Sequence, residues 1–353
     1  MKAVVLCGGK GTRLRPLTHT LPKQLIPIAN RPVVHYVMDH LRVAAIKDVG
    51  VVVAPETQDH IQAALAGNPW EFNLRYLVQD QPLGLAHALI VAREFTGQDP
   101  FIMYLGDNLV GSGVQPLVRL FAEERADAVV LLKEVPDPTR FGVAVLDDAG
   151  RLVRLVEKPE DPPSNLALVG VYVFSVAIHD AVDQIEPSPR GELEITDAIQ
   201  HLLTARRSVL GNRLSSWWLD CGKKDDLLEA NRTVLDEWTE RRVEGEVDPQ
   251  SRIVGRVDLA PGARVERSEI RGPTVIATGT VIQDAFVGPY TSIGQNCVIR
   301  HSTLQHCVVL DGATVDGSER LEDSVLGRNA VVRKDGPRRP MRLMIGDDAE
   351  VLL

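Results

Sequence analysis

Cysteine is scarce in this chain: its 353 residues include four, Cys7, Cys221, Cys297 and Cys307, and no two of them form a CxxC pair. We therefore expect reduced thiols, and neither a disulfide framework nor a common zinc motif. Long apolar runs are also missing. The run after Lys2 ends at Cys7, and no later segment approaches the roughly 18 to 20 apolar residues of a membrane span. We expect a cytoplasmic protein with no membrane partner.

Positive charge is in deficit as well. Lys and Arg number 39 against 48 Asp and Glu, which gives a net charge of -9. The chain thus has no overall basic field for DNA or RNA, although a local pocket could still gather cations around a polyphosphate. The length, together with a hydrophobic content of 44%, favours two domains over one.

The first two-thirds of the chain alternates short apolar runs with helical patterns. This alternation predicts an α/β domain with a Rossmann-like, mostly parallel sheet covered by helices on both faces. Ligands of such sheets bind at the carboxyl ends of the strands. The predicted strands are 3–6, 49–53, 101–105, 128–132, 143–146 and 170–174, and the predicted helices are 33–43, 85–94, 114–125 and 224–241.

After residue 252 single aliphatic residues recur about every six positions. This period predicts a left-handed parallel β-helix of hexapeptide repeats, with three hexads in each coil; an irregular all-β domain is the alternative. Because the spacing is five residues near Ile270, Val281 and Leu304, the sequence does not fix which positions form the corners of the coil. The register is Ile253, Leu259, Val265, Ile270, Ile276, Val281, Val287, Ile293, Ile299, Leu304, Leu310, Val315, Leu321, Leu326 and Val332.

The α/β alternation and the hexad period together predict the domain organisation. Residues 1–241 form the α/β domain, and the charged stretch 242–252, which contains Pro249, forms a linker. The β-helix covers 253–335, and 336–353 is a C-terminal tail.

A glycine-rich segment follows the first predicted strand directly. Glycines at such a turn let backbone N–H groups approach phosphate oxygens, and an arginine adds a forked cation. The segment fits neither the dinucleotide motif GxGxxG nor the P-loop GxxxxGK[ST]. A tight structural turn is the alternative reading. Its residues are Leu6, Cys7, Gly8, Gly9, Lys10, Gly11, Thr12, Arg13 and Leu14.

Two further positions have residues suited to phosphoryl chemistry. Lys23 lies in the segment Pro22–Pro27, where two prolines stiffen the loop, and a fixed cation there would stabilise charge on a transferring phosphoryl group. Asp107 closes the predicted strand 101–105 in the sequence YLGDN. Magnesium needs only one or two carboxylates when phosphate oxygens complete its shell, so Asp107 is a candidate ligand.

The segments GGxGTRLxPLT and PKQLIPIANRP resemble the N-terminal signature of sugar nucleotidyltransferases. Their sequences are similar to those of the long-form glucose-1-phosphate thymidylyltransferases. The resemblance implies that the glycine-rich loop and the PKQ lysine hold a nucleoside triphosphate, and that Gln79 recognises its base while Gly84 lets the nucleoside approach. Arg13, Lys23 and Asp107 are the implied catalytic residues. The implied nucleotide-binding residues are Leu6, Gly8, Gly9, Gly11, Thr12, Arg13, Lys23, Gln24, Gln79, Pro82, Gly84 and Asp107.

The same resemblance implies a metal pair and a sugar-phosphate site. Asp107 and Asp220, the latter in the sequence WWLDCG, are the implied magnesium ligands. Glu157 would accept hydrogen bonds from sugar hydroxyls and Lys158 would neutralise the sugar phosphate. The implied sugar-phosphate residues are Asn108, Gly142, Glu157, Lys158, Val169, Tyr172 and Trp218.

The implied reaction joins glucose-1-phosphate to dTTP with Mg²⁺, and the β-helix is expected to mediate homo-oligomer formation. Three alternatives stay open: a UTP-dependent or broad-specificity enzyme, an additional acetyltransferase activity that uses His301 or His306, and a non-catalytic regulatory copy.

Overall fold

The computed structural model describes residues 1–9, 11–222, 224–333 and 343–352. Contacts divide the chain into two compact units. The first comprises Met1–Gly9 and Val33–Leu219, and the second comprises Lys10–Pro32 and Asp220–Leu353.

All the predicted helices are present, with three more that the periodicity did not single out. None of the described helices is long and apolar enough to span a bilayer. The helices are α1 (Val33–Val43), α2 (Gln58–Leu65), α3 (Leu85–Thr96), α4 (Gln115–Glu124), α5 (Ala177–Val182), α6 (Ile195–Thr204) and α7 (Lys224–Trp238). Short 3-10 turns cover Thr12–Leu14, Leu17–His19 and Lys23–Leu25.

The strands up to residue 220 include every predicted strand. They are β1 (Lys2–Leu6), β2 (Pro27–Ile28), β3 (Arg31–Pro32), β4 (Asp48–Val53), β5 (Asn73–Val78), β6 (Phe101–Leu105), β7 (Asn108–Val110), β8 (Ala128–Glu134), β9 (Gly142–Leu146), β10 (Leu152–Glu157), β11 (Leu166–Phe174), β12 (Val209–Arg213) and β13 (Trp218–Asp220).

The first unit is built on a Rossmann-like sheet in the order β10-β9-β11-β6-β1-β4-β5; β8 also pairs with β11, and β12 pairs with β8. The parallel arrangement that we predicted holds for β1, β4, β5 and β6. The sheet as a whole is mixed, because β11 runs antiparallel to β6, β8 and β9. A fully buried apolar run such as β11 satisfies either direction, so its sequence does not reveal its orientation.

The core of the first unit contains one buried histidine. His179 is 5% exposed and its ring stacks on Phe101, with centroids 5.6 Å apart. Its Nε2 lies 2.9 Å from the Thr96 hydroxyl. Burial lowers the pKa of His179, and the nearby positive charge of Arg93 lowers it further. The folded protein therefore favours the neutral imidazole.

This burial predicts a loss of stability in mild acid. Because the unfolded chain protonates His179 near its ordinary pKa of about 6.5 while the folded chain does not, the stabilising contribution is complete above that pH and declines as pH falls below it. We expect the melting temperature of wild type to drop more, between about pH 7.5 and about pH 5.5, than that of His179→Gln. The exposed His60→Gln variant is the control and should follow wild type; equal drops in all three proteins would contradict the assignment.

The second unit contains a parallel β-helix. Its strands are β14 (Arg242–Val243), β15 (Glu246–Val247), β16 (Arg252–Val254), β17 (Val257–Leu259), β18 (Arg264–Glu266), β19 (Glu269–Arg271), β20 (Thr274–Ile276), β21 (Val281–Gln283), β22 (Phe286–Val287), β23 (Thr291–Ile293), β24 (Val298–Arg300), β25 (Thr303–Val309), β26 (Thr314–Asp316), β27 (Leu321–Leu326), β28 (Val331–Arg333), β29 (Met344–Ile345) and β30 (Glu350–Leu352). The strands described in this unit pair in parallel along the β-helix, and their aliphatic residues form one buried core.

The coil explains the irregular steps in the repeat. Ile253 pairs with Ile270 and Ile270 with Val287, so one coil takes 17 residues, which is two hexads and a five-residue step. The steps of five are thus a regular corner of each of these coils. The register needs two corrections: Ile282 and Val309 take the inward positions that we predicted for Val281 and Leu310.

The strands extend beyond the predicted β-helix boundaries on both sides. In the predicted linker 242–252, β14 and β15 pair with β17 and β18 of the next coil. In the predicted tail 336–353, β29 and β30 pair with β27 and β28. The stretch 334–342, which includes the predicted end of the β-helix, lies outside the described residues. The predicted division of the chain into domains remains a prediction.

The β-helix shares its unit with α7 and with the segment 11–32. The buried face of α7 packs against β23, β25 and β27 and also against β2. The glycine-rich and PKQ segments therefore belong, for the most part, to the same compact unit as the β-helix.

Candidate active site

In the first unit, the predicted base-recognition residues meet at the end of β1. A Cβ atom added to Gly8 would lie 3.5 Å from Gln79 Oε1. The Gln79 amide donates to the Gly84 carbonyl at 3.2 Å and lies 3.0 Å from His87 Nδ1. Gln79 is thus held in one orientation beside the first glycine of the loop. His87, which sets this orientation from the first turn of α3, was missed in the sequence.

Gly84 is required by packing on the polypeptide itself. Its φ is +105°, and an added Cβ would lie 2.4 Å from the Leu193 carbonyl oxygen. Ala86 N–H donates to that same oxygen, while Leu193 N–H donates to the Leu83 carbonyl. The glycine therefore allows two loops of the first unit to join; the close approach of a nucleoside at Gly84 stays a prediction. Pro82 is exposed beside it.

Asp107 and Asn108 lie directly after β6, at the carboxyl end of the strand, as predicted. Both are buried, and the Asn108 amide nitrogen is 3.3 Å from Asp107 Oδ1. Trp218 Nε1–H donates to Asn108 Oδ1 at 2.5 Å. The Trp218 ring meets Phe141 edge to face at 4.9 Å. The two rings form an apolar wall next to a carboxylate and an amide, a combination suited to a sugar ring and its hydroxyls.

A second polar cluster gathers around Glu157, the last residue of β10. Its Oε2 accepts from the Thr196 hydroxyl at 2.5 Å, and its Oε1 lies 3.1 Å from Lys158 Nζ and 3.2 Å from Arg190. A Cβ added to Gly142 would lie 3.3 Å from Glu157 Oε2. The structure thus brings together the predicted Gly142, Glu157 and Lys158.

Arg190 and Thr196 are functional candidates that the sequence reasoning missed. Arg190 also donates to Glu194 at 2.7 Å, and Glu194 is almost fully buried. Burial alone lowers the pKa of Arg190, but the hydrogen bond from Arg190 to Glu194 and the surrounding carboxylates give a net rise. Arg190 lies two residues before the acidic segment ELEITD (192–197) and Thr196 lies within it; an arginine next to this segment was the signal that could have found them.

Two predicted sugar-phosphate residues have no exposed side chain. Val169 is 0% exposed, and Tyr172 is 3% exposed and stacks on Phe174 in the core. Burial raises the pKa of Tyr172, and the charge of Glu157 adds to the rise. Phe141 and Trp218, in contrast, present their rings next to Asn108.

In the second unit, Gly11 fixes the stem of Lys23. Gly11 has a φ of +61°, and an added Cβ would lie 3.0 Å from Lys23 Cβ and 3.0 Å from a Thr18 methyl. The Thr18 hydroxyl donates to the Gly11 carbonyl at 2.7 Å. Thr12 and Arg13 follow in an exposed 3-10 turn. The glycine-rich and PKQ segments therefore pack on each other.

The remaining predicted residues of this unit are Gln24 and Asp220. Gln24 is 1% exposed, and its Oε1 has no hydrogen-bond partner among the described residues. Asp220 ends β13, and Gly222 N–H donates to its carbonyl. That the residues of this unit meet Gln79, Asp107 and Glu157 in one cleft stays a prediction.

The donor chemistry fits a hard divalent ion. The described residues contain no group of three or more His, Cys, Asp or Glu side chains that could hold a metal alone. Asp107 and Asp220 offer carboxylate oxygens, and magnesium is ordinarily bound by one or two carboxylates when substrate phosphates supply the other ligands.

Comparison with known proteins agrees with this chemistry. The family model described as nucleotidyl transferase matches residues 2–237. The chain belongs to the nucleotidyl transferase family. Members of this family generally need a divalent metal, in accord with the donor set of this nucleotidyltransferase.

Relatives of this nucleotidyltransferase match it over nearly its whole length. A glucose-1-phosphate thymidylyltransferase of Streptomyces griseus is 49% identical over 350 residues, 98% of each chain. An enzyme of the same name from Streptomyces antibioticus is 46% identical over 353 residues, 99% of each chain. A Bacillus anthracis structure in complex with sucrose, provisionally assigned as a glucose-1-phosphate thymidylyltransferase, has a TM-score of 0.61 and 34% identity, covering 65% of this chain and 94% of its own.

Proposed function

We propose that this nucleotidyltransferase is a glucose-1-phosphate thymidylyltransferase, which converts dTTP and α-D-glucose-1-phosphate to dTDP-glucose and pyrophosphate. The full-length similarity to the two Streptomyces enzymes is the observation that carries the proposal. The clusters around Gln79 and Glu157 support it, because one presents an oriented amide and the other a carboxylate between two cations.

The proposed reaction needs no protein nucleophile. A phosphate oxygen of glucose-1-phosphate attacks the α-phosphorus of dTTP in line, and the bond from that phosphorus to the β-bridging oxygen breaks, releasing pyrophosphate. Since both reactants are anions, the barrier lies in bringing them together. Arg13 and Lys23 would bind the triphosphate and Lys158 the sugar phosphate, which lowers the repulsion by positioning and electrostatics. Asp107 and Asp220 would hold Mg²⁺, which supplies further charge neutralisation when bound.

Pyrophosphate release by the purified chain tests the function. We expect release with dTTP, glucose-1-phosphate and Mg²⁺, and none when either substrate or the metal is omitted. UTP in place of dTTP is the main competitor, because a pocket that accepts both discriminates by little more than about 10- to 100-fold. Higher kcat/KM with UTP would reassign the base, and no release with any nucleotide would favour the non-catalytic regulatory copy.

The acetyltransferase alternative gains no support from the two histidines of the β-helix. His301 Nδ1 lies 3.1 Å from an Asp316 carboxylate oxygen, and His306 Nδ1 lies 2.6 Å from Asp323. A histidine hydrogen-bonded to a carboxylate on a coil does not by itself establish an activity, because architecture does not determine function. Consumption of acetyl-CoA with an amino-sugar phosphate, lost in both His301→Ala and His306→Ala, would revive this activity.

We also propose a cytoplasmic homo-oligomer that forms through the β-helix. An open coil end presents unpaired strand edges, and pairing with another copy satisfies them. Light scattering on the eluted chain should give a multiple of the 38.7 kDa monomer mass. A monomer at micromolar concentration would contradict this assembly.

The Glu157 cluster predicts a selective effect on the sugar phosphate. In Glu157→Gln the Thr196 contact has a partner, but the charged acceptor for sugar hydroxyls is lost. Since a hydrogen bond to a charged group contributes about 1.5–3 kcal/mol, we expect KM for glucose-1-phosphate to rise by about 10-fold or more while KM for dTTP stays nearly constant. Exposed Glu134→Gln is the control. Equal changes in both KM values would contradict a sugar role.

A further inference from the structure

The hairpin that follows Lys23 has a turn that its own sequence does not favour. Strands β2 and β3 pair across the two residues Ala29 and Asn30, whose φ angles are +48° and +62°. Two successive left-handed residues define a tight hairpin turn in which asparagine is well suited to its position and alanine is not. Such a turn persists when its surroundings hold it.

The β-helix holds one side of this turn. The Asn30 side-chain amide donates to the Ile293 carbonyl at 2.7 Å and approaches the Val275 carbonyl at 3.5 Å. These carbonyls belong to β23 and β20, which are neighbouring strands in successive coils. The tip of the hairpin thus contacts two successive coils of the β-helix.

Helix α7 holds the other side. Asn231 is 0% exposed; its Oδ1 accepts from Ala29 N–H at 2.9 Å and its Nδ2 donates to the Tyr290 carbonyl at 3.2 Å. One buried amide therefore links the hairpin, the helix and the β-helix. Because an unsatisfied buried amide is costly, this arrangement favours a single position of the hairpin.

The far end of the β-helix contacts the same segment nearer to Arg13. The Thr20 hydroxyl hydrogen-bonds to the Asp347 carboxylate. A Cβ added to Gly346 would lie 3.0 Å from Pro16 Cβ. The segment that carries Arg13 and Lys23 is therefore held by the β-helix at two places.

We infer that Asn30 and Asn231 are positioning residues through which the β-helix places the triphosphate-binding segment. This inference rests on the proposed function, because it concerns the role assigned there to Lys23. Lys23 is six positions before Ala29 and is joined to it by one 3-10 turn and β2. A shift of about 1 Å in a substrate-positioning group can lower the rate by up to about 100-fold. A hairpin that is held less firmly is therefore expected to lower kcat/KM for dTTP.

The test is steady-state kinetics of Asn30→Gly in the full chain. Glycine adopts the left-handed φ without strain but has no amide to donate to Ile293 and Val275. We expect kcat/KM for dTTP to fall by about 10-fold while KM for glucose-1-phosphate stays within about 2-fold. Asn231→Asp, which keeps the acceptor for Ala29 N–H but loses the donor to Tyr290, should move the same parameter in the same direction.

Asn68→Gly is the matched control in the first unit. Asn68 is also left-handed, with φ +39°, and its amide donates to the Phe72 carbonyl at 2.8 Å. A role confined to stability predicts equal loss of melting temperature in Asn68→Gly and Asn30→Gly, with no change specific to dTTP. That result, in a wild-type chain that releases pyrophosphate, would overturn the inference. A wild-type chain that releases none would overturn the proposed function instead.

Discussion

Asp107→Asn is expected to lower kcat by about 100-fold or more at saturating Mg²⁺, the scale for loss of one group that stabilises developing charge. Asp107 is buried at the end of β6, and Asn108 contacts its Oδ1. Asparagine preserves the volume and one oxygen, so the loss reports the carboxylate charge. A neutral amide is a poorer ligand for a hard divalent ion than a carboxylate.

Two comparisons make the result specific to the metal. Asp99→Asn, at an exposed carboxylate paired with Lys2, should retain wild-type turnover. Asp220→Asn should resemble Asp107→Asn, and the double variant should be little worse than either, because groups that act as a unit are not additive. Near-normal turnover of Asp107→Asn with saturating Mg²⁺ would remove Asp107 from the reaction.

Lys23→Ala has the second large expected effect, a loss of about 100-fold or more in kcat/KM for dTTP. Alanine retains the Cβ atom that lies next to Gly11, so the packing of the two loops is preserved while the cation is removed. Lys23→Arg should recover part of the activity, because it restores charge with a different geometry. The measurement is pyrophosphate release with dTTP as the varied substrate.

An exposed lysine supplies the control for this variant. Lys47→Ala should retain wild-type kinetics, because Lys47 lies before β4 on the surface of the first unit. If Lys23→Ala keeps its activity while its fold is intact, the triphosphate needs another cation, and Arg13 would be the next candidate.

The secondary structure could be predicted where apolar runs were long and buried, and less well at the edges. β5, at the edge of the sheet, alternates half-buried and exposed residues and was not singled out. The antiparallel direction of β11 could not be predicted, because nine consecutive buried residues pack equally well in either direction. Strand existence depends on local pattern, whereas strand direction depends on the connections.

The β-helix shows a similar limit. The hexad period identified the β-helix, but the predicted inward positions at Val281 and Leu310 are wrong by one residue. A coil of 17 residues places Ile282 under Val265, and a shorter step between paired positions, 16 residues, places Val309 under Ile293. A strict period of six cannot follow a repeat of two hexads and a five-residue step, so the interior position is fixed by the stacking of coils rather than by local spacing.

The site residues that lie in a sequence motif could be predicted, and those that only the fold brings together could not. Motifs identified Glu157 and Lys158, whereas Arg190 and Thr196, which orient Glu157, are more than 30 positions away in the chain and have no motif of their own. The link between Asn30 and the β-helix spans 263 positions. Contacts of this kind arise only when the fold brings distant segments together.

A crystal structure of the chain with Mg²⁺, glucose-1-phosphate and a non-hydrolysable dTTP analogue would show whether these residues form one active site. We expect Arg13 and Lys23 on the triphosphate, Lys158 on the sugar phosphate, and one carboxylate oxygen each from Asp107 and Asp220 at about 2.0–2.1 Å from one ion. Arg13, Lys23, Asp107 and Asp220 dispersed over separate surfaces, with the ligands bound elsewhere, would contradict it.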